Sequence, residues 1–305
     1  MRSLFLIFIG LLFASANAIG FDCTPWFYPQ ADHTPETRDT VKFAHGLLWE
    51  IKHSSGASSY LFGTIHLSDP RIIAFSKSVV ARITEKPNFA MEVLISPETV
   101  RFSASRMFFS GEEKLSDHLP SGLYERTAKL LKQHGVSNEL ADSVRPWAAY
   151  MTLAVPPGDS GIPLDLYLLN LAQSQGNKLF GIETIEEQLG IFEALDLPQQ
   201  VSLLSESVCN YKENQSQIGT MLSLYLAQDL RGLVEIGNKY QTPVNTSLFE
   251  KLLIDRNQTM AERIRPWMED GGFFVAVGAL HLPGRTGLLR TLESLGFEVS
   301  KVEIQ

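Results

Sequence analysis

A mixed α/β fold, with a central β-sheet and a large, mostly helical insertion, is predicted by three features of this 305-residue chain. Short apolar runs of strand character cluster toward the two ends of the sequence, and helical spacings fill the middle. The stretch LFGTIHL at residues 61–67 returns as AVGALHL at 276–282, so Gly-x-x-His-Leu closes two distant apolar runs. Each copy leads through a proline-containing turn into a helical pattern, which is the layout of a repeated βα unit. The sheet is therefore expected to comprise two βα-type halves, each with a Gly-x-x-His strand end.

The elements follow in chain order. Residues 4–13 (LFLIFIGLLF) follow Arg2 and precede Ala16-Asn17-Ala18. A basic start, a short apolar core and a small-x-small site are the anatomy of a signal peptide, assigned to residues 1–18. The apolar run falls short of the roughly 20 residues that span a bilayer. Residues 19–40, rich in Pro, Asp and Thr, read as an irregular leader, and residues 41–305 as a single domain. LLWEIKH and SSYLFGTIHL flank Ser-Ser-Gly-Ala-Ser as a hairpin. RIIAFSKSVVARITE has helical spacing, and NFAMEVLI (88–95) reads as a third strand.

Helical patterns dominate from 97 to 175, where LYERTAKLLKQHG and LDLYLLNLAQSQG each stop at glycine. KLFGIE is a short strand, and Thr184 to Glu187 is a capping box that starts the next helix. The helical insertion resumes over about 190–265, punctuated by Pro198 and Pro243. FFVAVGAL, a continuous apolar run, is expected to be a fully buried strand. GLLRTLESLG is a helix closed by Gly296, and FEVSKVEI is a final alternating strand.

The formal charge is −8, or −9 once Arg2 leaves with the signal peptide, and no basic cluster stands out. Nucleic acid is thereby disfavoured as a partner. The expected location is exported, periplasmic or secreted, with no stable membrane anchor after signal cleavage. Cys23 and Cys209 are the two cysteines; in an oxidising compartment they can pair, although two distant cysteines do not require it.

The chemistry-bearing residues sit at strand ends. Ligands of open α/β sheets bind beyond the carboxyl ends of strands, where His66 and His281 lie. Gly63 and Gly278, without a Cβ, allow close approach there. Two converging imidazoles suit a divalent ion such as Mn, Co or Zn. Glu92 interrupts an apolar strand and Glu183 ends another; a buried carboxylate needs a partner or a metal. Either could ligate the ion or act as general base. Arg256 could hold a carboxylate bidentately or stabilise an oxyanion. Each residue also has a purely structural explanation. The histidines can be satisfied strand-end residues, Glu92 can pair with a buried arginine, and Glu183 can serve a helix start. Asp255 and Arg256 can be a solvated pair, with Asn257 on the surface. His33, His45, His53, His118 and His134 read as structural.

Five stretches, LLWEI…YLFGTIHLSDPRI, MEV, GIETIEEQL, DRNQTMAERI and FFVAVGALHLPGRTGLLRTLESLGFEV, together resemble the TraB/GumN (PrgY-like) family. The likeness covers about residues 43–303. That family includes the TIKI proteases, and the resemblance implies a divalent-metal-dependent peptidase acting on a peptide or protein. It assigns His66 and His281 as metal residues, with their glycines at Gly63 and Gly278, and Glu92 as the acidic strand residue. Glu183 matches the Gly-x-Glu-Thr glutamate, and Arg256 with Asn257 the basic element. One departure is that TIKI proteins carry a C-terminal membrane anchor, whereas this sequence ends at Gln305 without one. Wider likenesses, to esterases and haem-binding lipoproteins, keep two alternatives open. One is a peptide- or haem-sequestering protein without turnover; the other is an esterase-like hydrolase of a small molecule.

Overall fold

The computed structural model describes Cys23 and residues 41–158, 161–238 and 243–304. The signal peptide expected over residues 1–18, and all of the leader expected over 19–40 except Cys23, lie outside the described residues.

The strands are β1 (Leu48–Lys52), β2 (Ser58–Thr64), β3 (Asn88–Met91), β4 (Lys178–Gly181), β5 (Phe273–Gly278) and β6 (Glu298–Val302). α1 (Pro70–Thr84) lies between β2 and β3. Between β3 and β4 come α2 (Pro97–Met107), α3 (Ser121–Gln133), α4 (Asn138–Ala141), α5 (Pro146–Leu153) and α6 (Leu164–Ser174). α7 (Ile185–Glu193), α8 (Leu197–Cys209), α9 (Tyr211–Leu226), α10 (Leu230–Asn238), α11 (Pro243–Phe249) and α12 (Arg256–Asp270) precede β5, and α13 (Leu288–Ser294) precedes β6.

Local chemistry explains most boundaries. Asp69 caps α1 by accepting from the Arg71 N–H, with Pro70 in the first turn, where its missing donor costs nothing. Ser96 with Thr99, Thr184 with Glu187 and Asp196 with Gln199 form reciprocal capping boxes on α2, α7 and α8. Gly135 and Gly176, just beyond α3 and α6, take φ of +83° and +80°, a conformation that side-chain-bearing residues rarely adopt.

The six described strands are ordered β4-β3-β5-β2-β1-β6. β1 and β2 form the antiparallel hairpin, with Leu48 opposite Phe62. β5 is paired parallel on both sides, to β2 and β3, which is why FFVAV must be apolar on both faces. The chain leaves β2 toward β3 on one side and leaves β5 toward β6 on the other. β2 and β5, adjacent at the centre, are therefore a point where the winding reverses. Right-handed crossovers put α1 and α13 on opposite faces, and α1 packs on α6 and α9 while α13 packs on α12.

Burial is split into two clusters. The sheet and helices α1, α6, α9, α10, α12 and α13 enclose one, including Phe62, Phe89 and Phe274. Helices α3, α5, α7, α8 and α11 enclose a second within the insertion, around Trp147 and Phe192.

Two expectations need correction. The strand read over 88–95 stops at Met91, and the one read over KLFGIE stops at Gly181. Glu92 and Glu183 thus lie just past strand ends rather than within them. The reason is side-chain chemistry: both carboxylates turn to Arg256, and a ladder conformation would continue the alternation instead. α12 is preceded by a π-helical turn at Glu250–Asp255, which period counting does not foresee.

Candidate functional site

Four parallel strand ends deliver the candidate residues to one edge of the sheet. Thr64 of β2 lies opposite Gly278 of β5, Met91 of β3 opposite Ala276, and Gly181 of β4 opposite Met91. The backbone N–H of Glu183 donates to the Glu92 carbonyl at 2.7 Å, so the two acids leave the sheet side by side. After Gly278 a 3-10 turn, Ala279–His281, folds His281 inward to 4% exposure. Gly63 backs onto that turn: a Cβ there would lie 2.7 Å from Leu282 Cδ1 and 3.0 Å from Ala279 Cα. Its glycine is explained by this close packing. Gly278 leaves room for Glu92, whose Oε1 accepts from the Gly278 N–H at 2.7 Å.

Both imidazoles are anchored through Nδ1. His66 Nδ1 is 2.7 Å from Asp165 Oδ2, while Asp165 Oδ1 accepts from Thr64 Oγ1 at 2.7 Å. His281 Nδ1 is 2.7 Å from Asn257 Oδ1, and Asn257 Nδ2 donates to the Thr286 carbonyl at 2.9 Å. Because the Asn257 amide donates elsewhere, its oxygen faces the ring, and His281 must carry its proton on Nδ1. Asn257 is 3% exposed, which removes the surface-residue explanation. The same logic, with a carboxylate acceptor, protonates Nδ1 of His66. Nε2 of His281 is then a lone pair, 3.6 Å from Glu92 Oε1.

Arg256 clamps the acids. Its Nε and Nη2 donate to Glu183 at 3.1 and 2.6 Å, Nη2 also donates to Glu92 at 2.5 Å, and Nη1 donates to the Leu252 carbonyl. Gln188 Nε2 donates to Glu92 and Glu183, each at 3.1 Å. Such engagement fits the carboxylate-holding role considered for Arg256 rather than that of an oxyanion donor, and it excludes a solvated Asp255–Arg256 pair.

The charges sort accordingly. Burial pushes the Glu92 carboxyl up, but the positive charges of His281, Arg256 and His66 and the Gly278 N–H outweigh it, leaving about 2. Burial pushes His281 down to about 4, aided by Arg256 and His66 and opposed by Glu92. Asp165, by charge and hydrogen bond, raises His66 to about 9. The His66 side chain is 69% exposed, because it faces an open cleft that protein surrounds.

These shifts predict acid sensitivity of the metal-free protein. An unfolded histidine takes up its proton near 6.5, but folded His281 does so only near 4. Stability is therefore lost as pH falls through that window. Glu92 extends the loss from the ordinary 4.5 down to about 2. Urea unfolding of chelator-treated protein should show a falling midpoint from about pH 6.5 downward. In His281→Gln the upper part of that fall should vanish; an unchanged profile would refute the assignment.

Asp165 and Gln188 escaped the sequence reading. An acid in the first turn of a helix, as in LDLYLLN, is ordinary dipole chemistry, and Gln188 directly follows a capping box. Neither carries a local signal. Among the other histidines, His53, His118 and His134 bond to Ser55, Glu113 and Tyr211, and His45 lies 3.7 Å from Asp229. His33 is outside the described residues. Cys23 and Cys209 are joined by a disulfide, tying the N-terminal segment to the end of α8.

The donor chemistry suits a divalent ion: two imidazoles with Nδ1 tied to an acceptor and Nε2 left for ligation, beside a carboxylate. Among the described residues, however, no group of three or more His, Cys, Asp or Glu side chains is gathered closely enough to hold one. Glu92, in particular, gives its oxygens to Gly278, Arg256 and Gln188 instead. Nor is any described helix long and apolar enough to cross a membrane.

Comparison with known proteins finds relatives over most of the chain. A protein of Danio rerio named Metalloprotease TIKI2 is 26% identical, over 88% of this chain and 62% of that protein. This chain thus spans about three fifths of that relative's length. A Nematostella vectensis protein named Metalloprotease TIKI homolog is 24% identical, over 89% of this chain and 69% of its own length. The Shigella flexneri protein YbaP, described as uncharacterized, is 23% identical over 77% of this chain and 87% of its own. No solved structure matches. Residues 47–301, most of the chain and all four strand ends, match one family throughout, and the chain belongs to the TraB/PrgY/gumN family.

Proposed function

We propose that the chain is an exported metal-dependent hydrolase acting on peptides. The observation that supports this most is the arrival of His66, Glu92 and His281 from neighbouring parallel strand ends, with both imidazoles held through Nδ1. In this reading the strand–Gly-x-x-His–helix segments are two βα-type halves that meet where the winding reverses, a common ligand position in open sheets. His66 and His281 would hold a divalent ion of the Mn, Co or Zn kind, with Glu92 as third donor or base. Such an ion supplies Lewis-acid polarisation and water activation near neutral pH. Asp165 and Asn257 orient the two rings. Arg256 holds Glu92 and Glu183 in place and helps keep Glu92 ionised. The names of the TIKI relatives favour a peptide substrate.

A second reading has one observation in its favour: both Glu92 oxygens are already engaged, so Glu92 is not free to act as a base. The chain would then sequester a peptide without cutting it.

One experiment separates these. Purified protein is assayed for bound metal, then incubated with a mixed peptide library before and after chelation and after return of Mn, Co or Zn. Metal-dependent cleavage supports the hydrolase. Peptides recovered intact from a tight complex with metal present support sequestration, and a chain that never takes up metal sinks the metal reading.

A further inference from the structure

A cleft of about 420 Å³ opens beside the strand ends, a volume usual for ligand sites. His66, Glu92 and Asp165 line one end. The rest is walled by Met91, Ile95, Val100, Ala104, Met107 and Ile185. Three of these follow helical spacing on α2, at positions i, i+4 and i+7, and so form one stripe. α2 has no buried residue, and Val100 and Ile95 remain 56% and 43% exposed. Exposed apolar residues need no explanation singly. Here they continue directly from the reactive groups.

The wall is also chemically silent. Ser103 Oγ donates back to the Thr99 carbonyl at 2.8 Å, and Thr99 Oγ1 donates to the Ser96 carbonyl at 3.0 Å. Gln188 is held by Glu92 and Glu183. No lysine or arginine is among the described residues that line the cleft, so nothing there would meet a phosphate, a lipid headgroup or a haem propionate. From Val100 to Met107 the helix advances about 10 Å, the length of roughly three residues of extended chain.

We infer that this cleft is a subsite for bulky apolar side chains of an extended peptide, next to the group that the His66–Glu92 end acts upon. The inference rests on the proposed peptide-processing reading for the placement of the reactive end. The α2 stripe selects Leu-, Val- or Phe-bearing segments, and a segment with Asn or Ser at the same positions leaves the wall facing water.

The test uses a fluorescently labelled dodecapeptide carrying a central Leu-Val-Leu and its Asn-Ser-Asn counterpart. Binding to the full chain is measured by anisotropy with metal removed, so that turnover does not intervene. The apolar peptide should bind at least about tenfold more tightly, and Val100→Asp or Ile95→Asp should bring the ratio close to one without moving the melting temperature. Equal affinities in the wild type, or a preference that survives both substitutions, would overturn the subsite. So would displacement of the peptide by an octanoyl ester that binds better than either peptide. Cleavage of both peptides is then read by mass spectrometry with Mn, Co or Zn restored. Preference in binding without any cleavage keeps the subsite and removes the hydrolase, whereas indiscriminate binding with cleavage does the reverse.

Discussion

Arg256→Met protein unfolds with about 3–5 kcal/mol less free energy than the wild type at pH 7. The substitution keeps the bulk of the side chain and removes the one cation that both acids share. Arg256 is 13% exposed, and its partners Glu92 and Glu183 are 14% and 4% exposed. Without the guanidinium these carboxylates stay desolvated and repel one another across their shared backbone hydrogen bond. The net worth of the intact cluster is smaller than this loss, since most of the penalty belongs to the stranded acids. Accordingly, the triple variant Glu92→Gln, Glu183→Gln, Arg256→Met should recover most of the stability. Arg256→Lys should fall between, because an ammonium cannot reproduce the fork that reaches two acids and a carbonyl at once. Urea denaturation with linear extrapolation measures all three, and a loss under about 1 kcal/mol in Arg256→Met would contradict the clamp.

The second large effect follows from the proposed function. His66→Ala should lose bound metal and at least about a thousandfold of peptide cleavage. It should also lose some stability, because Asp165, 12% exposed, is left without the imidazole it is paired with. His281→Gln should also lose metal, again with a stability cost, since its ring is buried and tied to Asn257. Asp165→Asn provides a graded companion. It keeps an acceptor for the His66 ring but not the charge, and should weaken metal affinity by about 10–100-fold. Its effect on the metal-free protein is separable: the His66 titration, raised to about 9 by Asp165, should move back toward the ordinary value when followed by NMR. Metal content and cleavage at wild-type levels in His66→Ala would end the metal reading.

Much of the fold was legible because its signals are local. The hairpin, the capped helices and the all-apolar β5 each follow from spacing and cap residues within one stretch. The errors were of one kind. Glu92 was read inside a strand because apolar neighbours on both sides imitate a continuing strand, and Glu183 was read as the last residue of a strand that stops earlier, at Gly181; Arg256, which both acids meet, is distant in sequence. The π-helical turn before Arg256 was likewise invisible, since no local residue pattern marks it. Asn257 had a surface reading available because nothing beside it announces a buried partner.

Read alone, the sequence supplied candidates: His66 and His281 after two apolar runs, Glu92, Glu183 and Arg256, each on or beside a recognisable strand or helix. Side-chain pattern and caps act over a few residues, and they settle which element a residue joins. Adjacency, by contrast, emerges only in the folded chain. β5 lies between β2 and β3, so the two histidine-bearing ends stand side by side and Glu92 reaches the Gly278 N–H. Strand order is chosen by long-range burial and by the handedness of crossovers, neither of which leaves a local trace. Asp165 holds His66, and α2 walls the cleft, for the same reason.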